Sequence, residues 1–199
     1  MNGWIAILAA YLIGGIPFGY LLVRLKTGED VRAKGSGNIG ATNVMRTTGR
    51  SLGTLTLALD IAKGFLAVWL AGMITGGAIE WTSAAAAAVM IGHAFPVFLR
   101  FHGGKAVASF LGAFLYLAPL AVLATVTVFV VVVWRTRYVS LGSILGAAAF
   151  PLAVWLILHP PAPLLLSAAF GGLLVIARHH GNIARLRAGK ENKLGGRRS

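Results

Sequence analysis

The amino-acid sequence predicts an all-α integral membrane protein of about seven transmembrane helices, some short or partial, with the N-terminus outside and the C-terminus cytoplasmic. Three observations carry that expectation. Of 199 residues, 57% are hydrophobic and 12% charged, and the mean hydropathy is +0.80, too apolar for a surface that faces water. The apolar residues gather in runs of span length or nearly so. Threading those runs in turn puts 17 of the 18 Lys and Arg on one face. The chain reads as one polytopic membrane domain over 1–199, in which 179–199 is a basic cytoplasmic tail.

The first run, 3–23, has no basic residue ahead of it, so it reads as a retained span rather than a cleaved signal peptide. The runs at 52–74 and 79–99 each have span length, and Ala84 to Ala88 within the third suggest close helix packing through small side chains. The stretch 106–134 divides at Pro119, which has no backbone N–H to donate, into 106–118 and 119–134. Charge supports the division, because a single helix there would throw basic clusters to opposite sides. The piece 106–118 is too short to cross a hydrocarbon core of roughly 30 Å and is expected to be a partial span lining a polar cavity. Runs at 140–158 and 162–177 complete the set. Lys63 is the one basic residue inside a span, and the loops near 75–78 and 159–163 carry no Lys or Arg, so the basic face is the cytoplasmic one.

Composition removes several chemistries. The five acids are Glu29, Asp30, Asp60, Glu80 and Glu191, too few and scattered for general acid/base work by paired carboxylates. No cysteine is present, so disulfides, thiolate nucleophiles and Cys-ligated metals are absent. No histidine has an acid five residues on; after His93 that position is Phe98.

Three polar stretches interrupt this apolar chain. The first runs Gly35-Ser36-Gly37-Asn38-Ile39-Gly40-Ala41-Thr42-Asn43-Val44-Met45-Arg46. Alternating glycines and short polar residues let backbone N–H groups converge as a bound phosphate requires, and Arg46 offers a planar cation for two phosphate oxygens. An ordinary glycine-rich turn with an Asn/Thr helix cap is the alternative. The second joins Gly92-His93-Ala94-Phe95-Pro96 to Arg100-Phe101-His102-Gly103-Gly104-Lys105, where N–H groups and an ammonium lie together at the start of a short helix. It is not a Walker A loop, because Leu99 and Ala106 stand where the upstream glycine and the Ser/Thr are needed. His93 reads as catalytic or as a helix-end histidine bonded to a carbonyl. The third is Arg178-His179-His180-Gly181-Asn182-Ile183-Ala184-Arg185, with Glu191 beyond; by itself a basic tail serves topology and anionic-lipid contact, and the paired histidines lack a third ligand for a metal. Asp60 and Lys63, three apart on one helix face, read as a stabilising ion pair by default and as part of a site otherwise. Ser140 and Ser143 either back-bond within their helix or present hydroxyls at its mouth.

Gly35 to Arg46, the Gly92-His93-x-x-Pro96 and Gly103-Gly104-Lys105 pair, and Arg178-His179-x-x-Asn182-Ile183-x-Arg185 resemble the three signature motifs of the bacterial acyl-phosphate:glycerol-3-phosphate acyltransferases, the PlsY family. The similarity runs nearly the whole chain, including Leu59-Asp60-x-x-Lys63-Gly64 and Tyr138-Val139-Ser140-Leu141-x-Ser143. In the second motif the family's usual Lys-Gly-Gly-Lys-Gly-Val-Ala-Thr carries His102, Ala106 and Ser109 at its first, fifth and last places. The resemblance implies a seven-helix enzyme of the bacterial inner membrane, its site facing the cytoplasm, that moves an acyl chain from acyl phosphate to glycerol 3-phosphate and yields lysophosphatidic acid. The expected catalytic residues are Ser36, Arg46, Lys105 and His93. Gly37, Asn38, Gly40, Thr42, Asn43, Gly103, Gly104, Ser143, His179 and Asn182 are expected to bind substrate or phosphate. The partners implied are the two substrates and membrane lipids, with no metal, no cofactor and no nucleic acid. A membrane transporter of an organic phosphate is the alternative, disfavoured because the polar motifs cluster at one face and no internal repeat is visible.

Overall fold

A computed structural model of the protein describes residues 2–195; Met1 and residues 196–199, which include Arg197 and Arg198 of the basic tail, lie outside the described residues. All regular structure among the described residues is helical. The run expected as one helix over 3–23 is two, α1 (Asn2–Gly15) and α2 (Phe18–Thr27). Pro17 makes the break, since it has no amide hydrogen and its ring pushes Ile16 away from helical geometry. A 3₁₀ turn (Val31–Ala33) and the short α3 (Ala41–Thr47) lead into α4 (Arg50–Thr75) and α5 (Ile79–Ala94). A second 3₁₀ turn (Val97–Leu99) precedes α6 (Val107–Leu117), followed by α7 (Pro119–Thr136), α8 (Val139–Leu158), α9 (Ala162–Arg178) and α10 (His180–Arg187).

Among the described residues, five stretches are long and apolar enough to cross a membrane: Asn2–Thr27, Arg50–Thr75, Ile79–Leu99, Pro119–Thr136 and Val139–Leu158. The α9 and α10 pair, bent by 57° at its break, adds a sixth if the two form one span. With 11 residues, α6 rises only about 16 Å, roughly half a hydrocarbon core. The chain is an integral membrane protein, and it divides between Leu117 and Ala118 into two compact units.

In the first unit α1 packs on α5 and α4, and α4 packs on α6. Two reciprocal glycine pairs set these crossings. A Cβ on Gly14 would strike the Val89 carbonyl and one on Gly92 the Tyr11 carbonyl; Gly64 and Gly112 stand likewise against Ser109 and Ile61. Without side chains the backbones approach closely, which is how helices gain dispersion energy where lipid is as apolar as leucine. Below α2 a small core of Val23, Val31, Ile39, Val44 and Leu99 is covered by Tyr20 and Leu52. In the second unit α8 packs on both α7 and α9, turning from α7 through a left-handed Arg137 (φ 64°).

Candidate active site

The first polar stretch is shaped by one side chain. Asn43, 2% exposed, donates through Nδ2 to the carbonyls of Val31 (3.3 Å), Lys34 (3.1 Å) and Asn38 (2.8 Å), and its Oδ1 accepts from the Ser36 amide at 2.8 Å. Gly37 donates its amide to the Lys34 carbonyl, and Gly40 donates to Asn38 Oδ1 at 2.8 Å. The N–H groups of Ser36, Gly37 and Gly40, expected to converge on a phosphate, bond within the loop in this structure. What the loop turns outward is side chain: Ser36, Thr42 and Arg46 are exposed. Asp30 caps the adjoining 3₁₀ turn and grips Arg32, whose guanidinium lies 2.7 Å from the carboxylate and 5.2 Å from the Tyr20 ring centre. The hydrogen bond from Arg32 holds the Asp30 carboxyl below its ordinary range.

The second stretch is built around His93, buried at the end of α5. Its carbonyl accepts the Gly104 amide at 3.0 Å. A Cβ on Gly104 would strike His93 Nε2, and one on Gly103 would strike the His93 carbonyl and Pro96, so close approach dictates both glycines. Ser109 Oγ lies 3.2 Å and Asp60 Oδ1 3.7 Å from His93 Nδ1. Arg100, Phe101 and Ala106 all take left-handed backbone conformations (φ 52°, 64° and 60°), which folds the chain sharply on either side of His102-Gly103-Gly104-Lys105. Lys105 is half-buried, two residues before α6. His102 is exposed and bonds the Arg100 carbonyl.

Asp60 and Lys63 form an ion pair of 2.8 Å, each side chain 3% exposed. Lys63 Nζ also donates to the Ile16 carbonyl at 2.7 Å, the carbonyl released by the break before Pro17. Within this unit the first and second motifs share a core, since Leu99 packs with Val31, Ile39 and Val44.

The third motif belongs to the second unit, together with Ser143. Ser143 back-bonds to the Val139 carbonyl at 3.0 Å. His179 is buried at the α9–α10 bend and donates from Nδ1 to the Val175 carbonyl at 2.7 Å. The hub is Glu191, a side chain 6% exposed that accepts from Ser140 Oγ (3.0 Å), Asn182 Nδ2 (2.7 Å) and Arg185 Nε (2.7 Å). Burial alone would raise its pKa; those hydrogen bonds and the Arg185 charge outweigh burial and hold it below the ordinary glutamate range. Sequence reasoning missed this role: its partners lie 51, 9 and 6 residues away, and the one available signal was that acids are so rare here. Among the described residues no group of three or more His, Asp or Glu gathers as metal ligands would.

A family model described as Glycerol-3-phosphate acyltransferase matches residues 4–189. The chain is 52% identical over 191 residues to the glycerol-3-phosphate acyltransferase of Syntrophotalea carbinolica, covering 96% of this chain and 97% of that one. Against the Geobacter sulfurreducens protein of the same name it is 46% identical over 194 residues, 98% of each chain. Among solved structures it is similar to PlsY (YgiH), an integral membrane glycerol 3-phosphate acyltransferase. The glycerol 3-phosphate form aligns with a TM-score of 0.92 at 37% identity and the lysophosphatidic acid form with 0.89 at 36%, each over 98% of this chain and 96% of the other.

Proposed function

The chain belongs to the glycerol-3-phosphate acyltransferase family, and from that premise we propose that it moves an acyl chain from acyl phosphate to the 1-hydroxyl of glycerol 3-phosphate, giving lysophosphatidic acid and phosphate in phospholipid synthesis. One observation carries the reading: the family match spans residues 4–189 and so takes in every motif from Gly35 to Arg185.

In the reaction the glycerol hydroxyl oxygen bonds to the acyl carbon while the bond from that carbon to the phosphate oxygen breaks. The departing phosphate takes the hydroxyl proton. The donor is already activated, so positioning and charge stabilisation carry the catalysis and no protein nucleophile is required. We assign the phosphate-bearing groups to Ser36, Arg46 and Lys105 of the first unit, with Thr42 as a further contact; for Asn182 and His179 the resemblance of the third motif supports a phosphate-binding role. Asn43 and Asn38 act as builders of the loop rather than as ligands, because their polar atoms meet its backbone. Gly37, Gly40, Gly103 and Gly104 give the loops their shape, His93 holds the second one, and Ser143 stays within its helix.

The same reading makes residues 1–199 one polytopic domain of the bacterial inner membrane. It has seven helical passages, α6 being a partial one, an external N-terminus and a cytoplasmic site. The absence of native cysteine suits a test by single thiols. A thiol at Gly77 is expected to react from outside and one at Ser36 only after permeabilisation; the reverse pattern overturns the orientation.

The central experiment mixes purified protein with glycerol 3-phosphate and follows phosphate release from acyl phosphate, with acyl-CoA and acyl carrier protein as rival donors. Turnover is expected with acyl phosphate, competitively inhibited by free phosphate, and Lys105→Ala is expected to keep less than a tenth of it, a barrier change of about 1.4 kcal/mol or more. Acyl-CoA used as well as acyl phosphate, without inhibition by phosphate, overturns the assignment of donor and site.

A further inference from the structure

We infer that Asp60 and Lys63 are positioning residues, a buried ion pair that fixes the first-motif and second-motif loops relative to each other within the first unit. The inference rests on the reading that Ser36, Arg46 and Lys105 hold phosphate, and it concerns what keeps them in register.

The pair reaches both loops by short steps. On one side Lys63 Nζ donates to the Ile16 carbonyl at 2.7 Å and lies 5.6 Å from the Phe18 ring centre, so it grips the break between α1 and α2 from both flanks. The direction of α2 is thereby set, and α2 is the floor of the first-motif loop. Gly19 meets the Ile39 carbonyl so closely that a Cβ there would clash, and Val23 packs with Val31, Ile39 and Val44. On the other side Asp60 Oδ1 stands 3.7 Å from His93 Nδ1, which Ser109 Oγ approaches at 3.2 Å from the base of α6. His93 in turn takes the Gly104 amide on its carbonyl and lies against the Gly104 Cα, next to Lys105.

Stability alone gives little reason for this arrangement. Taking two charges out of water is costly, and a buried pair is often replaceable by apolar residues of similar volume without loss of stability. In a chain that is 57% hydrophobic, an apolar pair at 60 and 63 would be the simpler packing. What leucine and methionine cannot supply is direction: an ammonium held between one carbonyl at a helix break and one carboxylate fixes angles as well as distances, and it keeps that carboxylate 3.7 Å from the His93 ring.

The test replaces the pair by Asp60→Leu with Lys63→Met, and separately by Asp60→Asn with Lys63→Gln, which keeps hydrogen bonding without charge. The purified proteins are compared with wild type for melting temperature, for the rise in melting temperature caused by inorganic phosphate, and for kcat/KM in acyl transfer. The expected result is a Leu/Met variant that melts within a few degrees of wild type, loses at least tenfold in kcat/KM and loses the phosphate-induced rise, with the Asn/Gln variant between the two. A folded variant with kcat/KM within twofold of wild type overturns the inference while leaving the acyltransferase reading intact. Should wild type itself transfer no acyl group, that reading fails, and the phosphate-induced rise alone decides the inference: retained in the variants, it overturns it. Failure of both variants to fold also overturns it, since the pair is then a folding element only.

Discussion

The Gly35 to Arg46 loop and the segment from Arg178 to Leu194 are both polar, both basic and both organised by a single buried side chain, but the two organisers differ in charge. In the loop the organiser is Asn43, whose neutral amide meets three carbonyls and one N–H of the backbone. In the segment it is Glu191, whose carboxylate meets three side chains. An amide shapes backbone without altering the field around Arg46, so the loop keeps its full positive potential for an anion. A carboxylate gathers donors more strongly but neutralises part of the charge it gathers, here that of Arg185. The lesson is that the loop is built to expose charge and the segment to place side chains. Placing charge at position 43, or removing it at 191, puts that distinction to the test.

The largest expected effect is at Asn43. Asn43→Asp keeps the shape but turns donors into acceptors facing three carbonyls, and each buried polar group left unsatisfied costs about 1–3 kcal/mol. It also sets an anion under the proposed phosphate site. We expect kcat/KM for glycerol 3-phosphate to fall about 100-fold or more, with a lower melting temperature. A variant that stays within tenfold of wild type would break the comparison, because charge at the organiser would then be immaterial.

Glu191→Gln comes next. The amide still accepts from Ser140 or Asn182, but the charge-assisted bond to Arg185 is lost, and a hydrogen bond to a charged group contributes about 1.5–3 kcal/mol at best, less here because Arg185 is 40% exposed. Activity is expected to fall about tenfold. The pH dependence identifies the cause. Because the folded state holds the Glu191 pKa below its ordinary range, its stabilising contribution is fully present above the unfolded glutamate pKa of about 4.3 and is lost as pH falls through the lower folded value. The difference in melting temperature between wild type and Glu191→Gln should therefore be constant from pH 7 to about 5 and close below about pH 4. Asp30, also held low, titrates alike in both proteins and drops out of the difference. A gap that does not narrow as pH falls below the unfolded value would mean that Glu191 acts through shape rather than charge.

These organisers mark where the sequence was legible and where it was not. Hydropathy sums over windows, so the spans of α4, α5, α7 and α8 were readable within a few residues, and 11 residues of α6 were readable as too few. The same summation is blind to a break inside an apolar run; Gly14-Gly15-Ile16-Pro17 carried that signal and hydropathy overrode it. The three motifs were legible by residue type, but type does not tell an amide that binds a ligand from one that binds its own backbone. The polar groups of Asn43, Gly37 and Gly40, whose types suit phosphate, bond within the loop. Pairings across long separations, such as Asp60 with His93 or Ser140 with Glu191, have no local pattern at all.

The second-motif loop extends the comparison to a case held chiefly through a backbone group, the His93 carbonyl that accepts the Gly104 amide, and there Ala106→Gly is expected to have the smallest effect. Ala106 is fully buried and left-handed (φ 60°) at the place where the family pattern has glycine. That conformation costs an L-residue about 1–2 kcal/mol, which Ala106→Gly relieves. Against the relief stand a lost buried methyl, about 0.8 kcal/mol, and the greater freedom of glycine in the unfolded chain, about 0.4–1 kcal/mol. The terms nearly cancel. Melting temperature should move by only a few degrees and acyl transfer by less than about threefold, because the glycyl backbone occupies the same region without strain. Ala106→Val is the sharper half of the experiment, since a β-branched side chain at positive φ is a steric outlier and this site has no space to absorb it. It should shift the backbone beside Lys105 and lower kcat/KM at least tenfold. Equal activity in the Gly and Val variants would mean that the left-handed turn at 106 does not govern where Lys105 sits, and that His93 alone sets the second loop.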